Sequence, residues 1–271
     1  MATAASTARR WTAEAVLNAG ASFWFVAAAI GQWAFVSYIA AFYGGAAARG
    51  DPGAWNDVLV GGYVRGGTFG NVVLAAHLLL AIVITVGGPL QLIPGLRARA
   101  LPFHRWNGRI YMVTAIVISL AGLYMVWTRG TAGGPAMRIG ISINGVLIIV
   151  CATIAWREAF GRRIAAHRRW ALRSFVLVSG VWFFRVGLMF WILANRAPVG
   201  IGKDFDGPFV RFWAFGCYLV PLALLELYLH VRARGGPVTR AAMGMGLFVL
   251  TLAMAIGILG AVAGMWLPRF A

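Results

Sequence analysis

Apolar residues in this chain do not alternate with polar ones. They gather into seven long runs, near residues 19–42, 70–93, 110–127, 137–156, 171–194, 212–230 and 242–267. An α-helix needs roughly 20 mostly apolar residues to cross the hydrocarbon core of a bilayer. Lipid offers backbone N–H and C=O groups no partner, so spanning segments of this kind have to be helical. The pattern predicts an all-α integral membrane bundle of about seven transmembrane helices, with residues 1–271 forming one transmembrane domain. The longest connection, residues 43–69, is Gly-rich, carries Trp55, Asp57 and Tyr63, and has the length to fold over the bundle as a lid.

Composition points the same way: 61% hydrophobic residues, 11% charged and a mean hydropathy of +0.80 leave too little polar surface for a soluble globule. The net charge of +17 would suggest nucleic acid in a soluble protein. Here its sidedness matters more, and no nucleic-acid role is expected. Arg9, Arg10, Arg97, Arg99, Arg105, Arg109, Arg157, Arg162, Arg163, Arg168, Arg169, Arg173, Arg232, Arg234 and Arg240 fall in the N-terminal segment and every second loop. The alternate loops are poorer in Arg and contain Asp51, Asp57, Asp204 and Asp206. The positive-inside rule then places the N-terminus in and the C-terminus out, in the cell inner (plasma) membrane, with the basic side facing anionic lipid head groups. The run after Arg9 and Arg10 is too long for a signal h-region and reads as an uncleaved anchor. Cys151 and Cys217, isolated within apolar runs, read as small packing residues. Small residues around Gly244 and from Gly257 to Gly264 permit close helix contact, with this chain or another.

Chemistry has to come from the exceptions. His104-Arg105-Trp106 with Arg109, and His167-Arg168-Arg169-Trp170 with Arg173, each stand where the chain enters a membrane helix from the basic side. One reading is an interfacial belt, Trp at the head-group level and Arg anchoring the helix end. The other is an anion or metal site at helix N-termini, joined by His230 with Glu226 one turn earlier. Deeper in the membrane, Gln32, His77, Asn144 and Arg185 lie roughly seven to ten residues from the other ends of their spans, about 10 to 15 Å at the helical rise. A shared depth suggests one polar layer. Helical periodicity puts His77 on a face with Ile84, Gly88 and Gln91, and Arg185 on a face with Ser174, Val178 and Val181. A guanidinium near the membrane middle costs about 2.5 to more than 10 kcal/mol, so Arg185 needs compensation. Backbone carbonyls, Asp57 or Asp204 folding in, water, or a bound anion are the available partners.

Taken together, His77, Gly88-Pro89-Leu90-Gln91, His104-Arg105-Trp106-Asn107-Gly108-Arg109-Ile110-Tyr111, His167-Arg168-Arg169-Trp170-Ala171-Leu172-Arg173-Ser174 and Arg185 resemble a bacterial family of multi-pass membrane proteins, domain of unknown function 2306. The resemblance covers roughly residues 70–190, with Ala171 where the family tends to have Met. It implies a family and no activity.

Three function classes follow, the third and plainest being an assembly or scaffold subunit in which all these residues serve packing and anchoring. In the first, a haem-b or quinone-linked membrane redox protein, His77 is an axial ligand, Arg185 pairs with propionates, and His104 and His167 ligate at the other depth. That layout resembles the cytochrome b561 group, except that Gln91 stands where a second histidine of the same helix is expected. An axial partner for His77 would then be Met125, Met189 or an open position. In the second, a non-redox transporter, receptor or lipid-handling protein, Arg185 and His77 bind an anionic ligand, with Gln91, Asn144, Arg109 and Arg173 as further polar contacts. A retinal Schiff base is disfavoured, since the single Lys, Lys203, lies in a loop. The spans also lack a Ser/His/Asp set or a carboxylate pair for hydrolysis.

Overall fold

The computed structural model describes residues 12–269, so Arg9 and Arg10 lie outside the described residues. Ten α-helices carry the described chain: α1 (Ala13–Ile39), α2 (Gly45–Ala48), α3 (Thr68–Leu92), α4 (Pro94–Arg99), α5 (Leu101–Thr128), α6 (Gly134–Phe160), α7 (Ile164–Val178), α8 (Gly180–Asn195), α9 (Pro208–Arg234) and α10 (Pro237–Ala261). No strand occurs among the described residues. Six helical stretches are long and apolar enough to cross a membrane, and a seventh is reached when the pair α7–α8, bent by 53° at its junction, is counted as one broken span. The all-α membrane bundle follows from the apolar runs, and side chains such as Ile30, Val72, Leu79, Val249, Leu252 and Leu259 remain on its outer surface, as lipid contact requires.

The boundaries differ from the sequence reading in three places. α5 begins at Leu101, so the His104 to Arg109 motif lies inside the first turns of the helix. Pro102 near the helix start explains this, because an N-terminal turn needs no donor from proline. The first span runs on through a π-helical turn at Ala40–Gly44 into α2, taking up the first part of the expected 43–69 loop. The fifth run, expected as one helix over 171–194, is two helices interrupted at Ser179.

Helices that follow one another in sequence pack together: α3 on α5, α5 on α6, α6 on α7. α1 lies along α10, where glycine on both sides brings the backbones together. A Cβ at Gly20 would stand 2.5 Å from the Gly244 carbonyl oxygen. α9 approaches α6 in the same way, since a Cβ at Gly140 would meet the Ala214 carbonyl at 2.5 Å. The bend moves the fifth span across the bundle. α7 packs chiefly on α6 and α9, whereas α8 packs chiefly on α10, with Gly257 against the Val186 carbonyl.

Candidate functional site

The α7–α8 break sits in the middle of an apolar run, and two side chains from other helices hold it. Ser and Gly in succession, Ser179-Gly180, supply a hydroxyl that competes for backbone carbonyls and a residue without Cβ. The Ser179 hydroxyl donates to the Phe175 carbonyl at 2.8 Å and accepts from Gln32 Nε2 of α1 at 3.0 Å. From the other side, Asn144 Nδ2 of α6 donates to the Leu177 carbonyl, in the last turn of α7, at 3.2 Å. Gly180 leaves room for this bond, since a Cβ would lie 2.9 Å from Asn144 Nδ2 and push the amide aside.

Beside the break is a cavity of about 20 Å³, whose walls include Gln32, Phe35, Thr85, Tyr111, Ser179 and Trp182. That volume has room for a small polar group. Tyr111 and Trp182 are 4% and 2% exposed, and neither the Tyr111 hydroxyl nor Trp182 Nε1 has a hydrogen-bond partner.

Arg185 stands beyond the cavity on α8, half-buried. Its guanidinium donates from Nη1 to the Val181 carbonyl at 3.1 Å and lies 5.1 Å from the centre of the Phe35 ring. Val181 and Phe35 both line the cavity, so the charge flanks it. Ion pairs among the described residues are Arg163–Glu158, Arg173–Glu226, Arg211–Asp206 and Arg240–Glu14, so neither Asp57 nor Asp204 compensates Arg185. A carbonyl and a ring face do so in part.

The four residues of shared depth divide. Gln32 and Asn144 meet at the helix break and Arg185 lies a turn and a half beyond it, but His77 packs against α5. A Cβ at Gly122 would lie 3.5 Å from His77 Cε1, the Ile118 backbone interacts with the imidazole, and Nδ1 is buried without a partner. Ile84 and Gly88 are buried as the His77 face predicts. The face assigned to Arg185 is not continuous, because the bend leaves Ser174 buried and Val181 exposed. Met189 packs against Gly264 of the last span, away from His77.

At the end of the bundle above Arg185, aromatic side chains converge from two π-helical turns, Ala40–Gly44 and Val262–Trp266. Trp266 lies against Phe35 and Tyr38, with ring centres at 5.3 and 6.2 Å. Trp55 from the connection is buried and donates to the Tyr43 carbonyl at 3.1 Å. The rest of this connection is tied down by Arg129, which donates to the carbonyls of Gly61 and Gly62 and, at 2.7 Å, to Asn71 Oδ1. Paired bonds between Asn56 and Tyr63, and between Asn71 and Val64, close its turns. The connection is a fastened cover.

The opposite, basic end carries the two motifs. Gln91 donates to the His104 carbonyl at 3.1 Å and Asn107 to the Gly87 carbonyl at 3.0 Å, joining α3 to the start of α5 around Pro89. His167 Nδ1 lies 2.8 Å from the Ala155 carbonyl, and His104 and His167 are near enough to interact electrostatically. Arg173 forms a two-pronged pair with Glu226, at 2.6 and 2.8 Å, and covers Trp170, while Arg109 covers Trp106. Glu226 therefore serves Arg173 and not His230, which is exposed. Among the described residues, no group of three or more His, Cys, Asp or Glu is placed to hold a metal ion. Cys151 and Cys217 are free and buried.

Sequence reasoning passed over Ser179, Trp182, Arg129 and the Tyr111 hydroxyl. The available signal was Ser-Gly within an apolar run followed by Trp, which marks a break with a donor beside it.

Fold and polar interior define a multi-pass α-helical membrane protein. The chain belongs to the family described as predicted membrane protein (DUF2306), whose model matches residues 74–229, from α3 into α9. The match holds both basic motifs, Arg185 and Glu226, and leaves α1, with Gln32, and α10 outside. Among curated proteins nothing matches, and among solved structures nothing matches.

Proposed function

We propose that this chain is a non-redox membrane binding or transport protein that holds an anionic ligand at Arg185, under the aromatic cover. One observation carries the reading: Arg185 lies within the bundle without an acidic partner among the described residues, beside a cavity with unused donors. An intramembrane charge that the protein compensates only in part marks a ligand or ion path more often than a packing role. Asn144 and Gln32 serve by holding the helix break. His77, Gln91, Arg109 and Arg173 have protein partners of their own and act as supports. The basic end then faces anionic head groups on the cytoplasmic side.

The test is thermal unfolding of the purified chain in mild detergent, with acetate, decanoate, phosphate or chloride added. Wild type is expected to be stabilised by at least one of them, and Arg185→Gln to lose that response. An equal response from both proteins removes Arg185 from the site.

A haem-b or quinone-linked redox reading has one observation in its favour. The Ala155 carbonyl engages His167 Nδ1, which would leave Nε2 to face a ligand, and His104 is near enough to interact with this imidazole electrostatically. Visible spectra of oxidised and dithionite-reduced protein decide it. A Soret band with reduced α bands that His167→Ala abolishes supports it, and a colourless folded preparation that takes up no haem rejects it.

A further inference from the structure

We propose that the cavity under the α7–α8 break is an anion subsite that receives a carboxylate group. This rests on the Arg185 reading and names the chemical class it serves. The last bond of α7 runs from the Ser179 N–H to the Phe175 carbonyl, and the first bond of α8 from the Phe183 N–H to the Ser179 carbonyl. Gly180, Val181 and Trp182 form the first turn of α8, and Val181 and Trp182 line the cavity. No side chain caps that turn. Helix N-termini carry partial positive charge, and interrupted membrane helices turn such ends toward anionic groups.

Independent support comes from side chains. Tyr111 and Trp182 are each more than nine-tenths buried, both line the cavity, and their polar hydrogens have no acceptor. Trp Nε1 can only donate. A carboxylate offers about four acceptor sites, enough for both donors, and brings the negative charge that Arg185 lacks among its partners. Arg185, bonded to the Val181 carbonyl at the cavity wall, supplies the countercharge. The shared chemistry has two sources, a small water-soluble carboxylate or the head of an amphiphile from the bilayer.

Thermal unfolding of the full chain in detergent, titrated with sodium acetate and with sodium decanoate at constant ionic strength in sulfate, tests the subsite. Tyr111→Phe removes an unpartnered hydroxyl and nothing else, so the variant is expected to fold at least as well as wild type. Its midpoint ligand concentration should rise about ten- to a hundredfold, the worth of one hydrogen bond to a charged group. Trp182→Phe should do the same. A response to both salts identifies a water-soluble source, and a response to decanoate alone identifies an amphiphile; either supports the subsite. If Arg185→Gln abolishes binding while Tyr111→Phe and Trp182→Phe bind like wild type, the subsite is wrong and the Arg185 site stands. If the two donor variants weaken binding and Arg185→Gln does not, the subsite stands and the Arg185 reading falls. No stabilisation of wild type by either salt overturns the subsite.

Discussion

Gln32 and Ser179, separated by 147 positions in sequence, share a hydrogen bond of 3.0 Å inside the bundle, and it ties the first span to the broken fifth. With Asn144 on the opposite side, it means that the interruption between α7 and α8 is held at two points. A buried carbonyl that loses its partner costs about 1–3 kcal/mol. Asn144→Ala removes the side-chain donor to the Leu177 carbonyl, which keeps only the Ser179 N–H beside it, and is expected to lose about 1 kcal/mol in a denaturation titration in detergent. Asn144→Asp should lose at least as much, because it replaces the donating amide by an acceptor. Wild-type stability in both variants would show that the break needs no external partner.

Arg129 makes a second prediction. Its guanidinium ties Gly61 and Gly62, in the connection between α2 and α3, to Asn71 in the first turn of α3. Bonds to a charged donor are worth about 1.5–3 kcal/mol each, and every 1.4 kcal/mol is tenfold in an opening equilibrium. Arg129→Ala should therefore raise hydrogen exchange of the 58–71 amides by about tenfold or more, while α5 and α6 exchange as before. Unchanged exchange in that segment would mean that Trp55 alone holds it down.

What was legible in the sequence, and what was not, divides by range of interaction. The spans were readable because twenty apolar residues in lipid leave the backbone one solution. Helical rise converts sequence position into height, and Gln32 and Asn144 do meet at one helix break, with Arg185 a turn and a half beyond it. Azimuth was not readable. Height alone put His77 in the same layer as Arg185, and only packing showed that its imidazole faces Gly122 and Ile118 of α5. The face assigned to Arg185 assumed an unbroken helix, so one Ser-Gly step invalidated it. Glu226 was matched with His230 on its own helix, whereas Arg173, 53 positions away, binds it. The aromatic cover depends on two π-helical turns, and nothing in the residue pattern near Phe42 or Met265 announces one.

The Arg173–Glu226 pair gives a third prediction, in which sign matters more than size. Arg173 is 21% and Glu226 46% exposed, so solvent screens the attraction and a coupling of about 1 kcal/mol or less is expected. Arg173→Met and Glu226→Met should each destabilise the fold, and the double variant should cost less than the two together. The coupling should shrink as salt rises, since Debye screening reaches pairs with this exposure. A salt-independent coupling would instead point to the stacking of Arg173 on Trp170.

The α1–α10 seam carries the last prediction, because the small residues of the final span suited either a neighbour within this chain or another copy. The backbone of α1 occupies that space: a Cβ at Gly244 would meet the Val16 carbonyl at 2.7 Å, and a Cβ at Gly20 the Gly244 carbonyl at 2.5 Å. Carbonyl oxygens on helices cannot swing aside as a side-chain tip can, so any larger residue has to push the two helices apart. Gly244→Val is expected to lose several kcal/mol, in the range of overpacked cores and beyond, about 1–3 kcal/mol or more. Gly246, two residues on, has nothing within 4 Å. Gly246→Ala should be neutral or gain up to about 1 kcal/mol from helix propensity. Unfolding in detergent measures both, and size-exclusion chromatography adds the discriminating readout. If Gly244 serves another copy instead, Gly244→Val will shift the oligomer size and leave the unfolding midpoint in place.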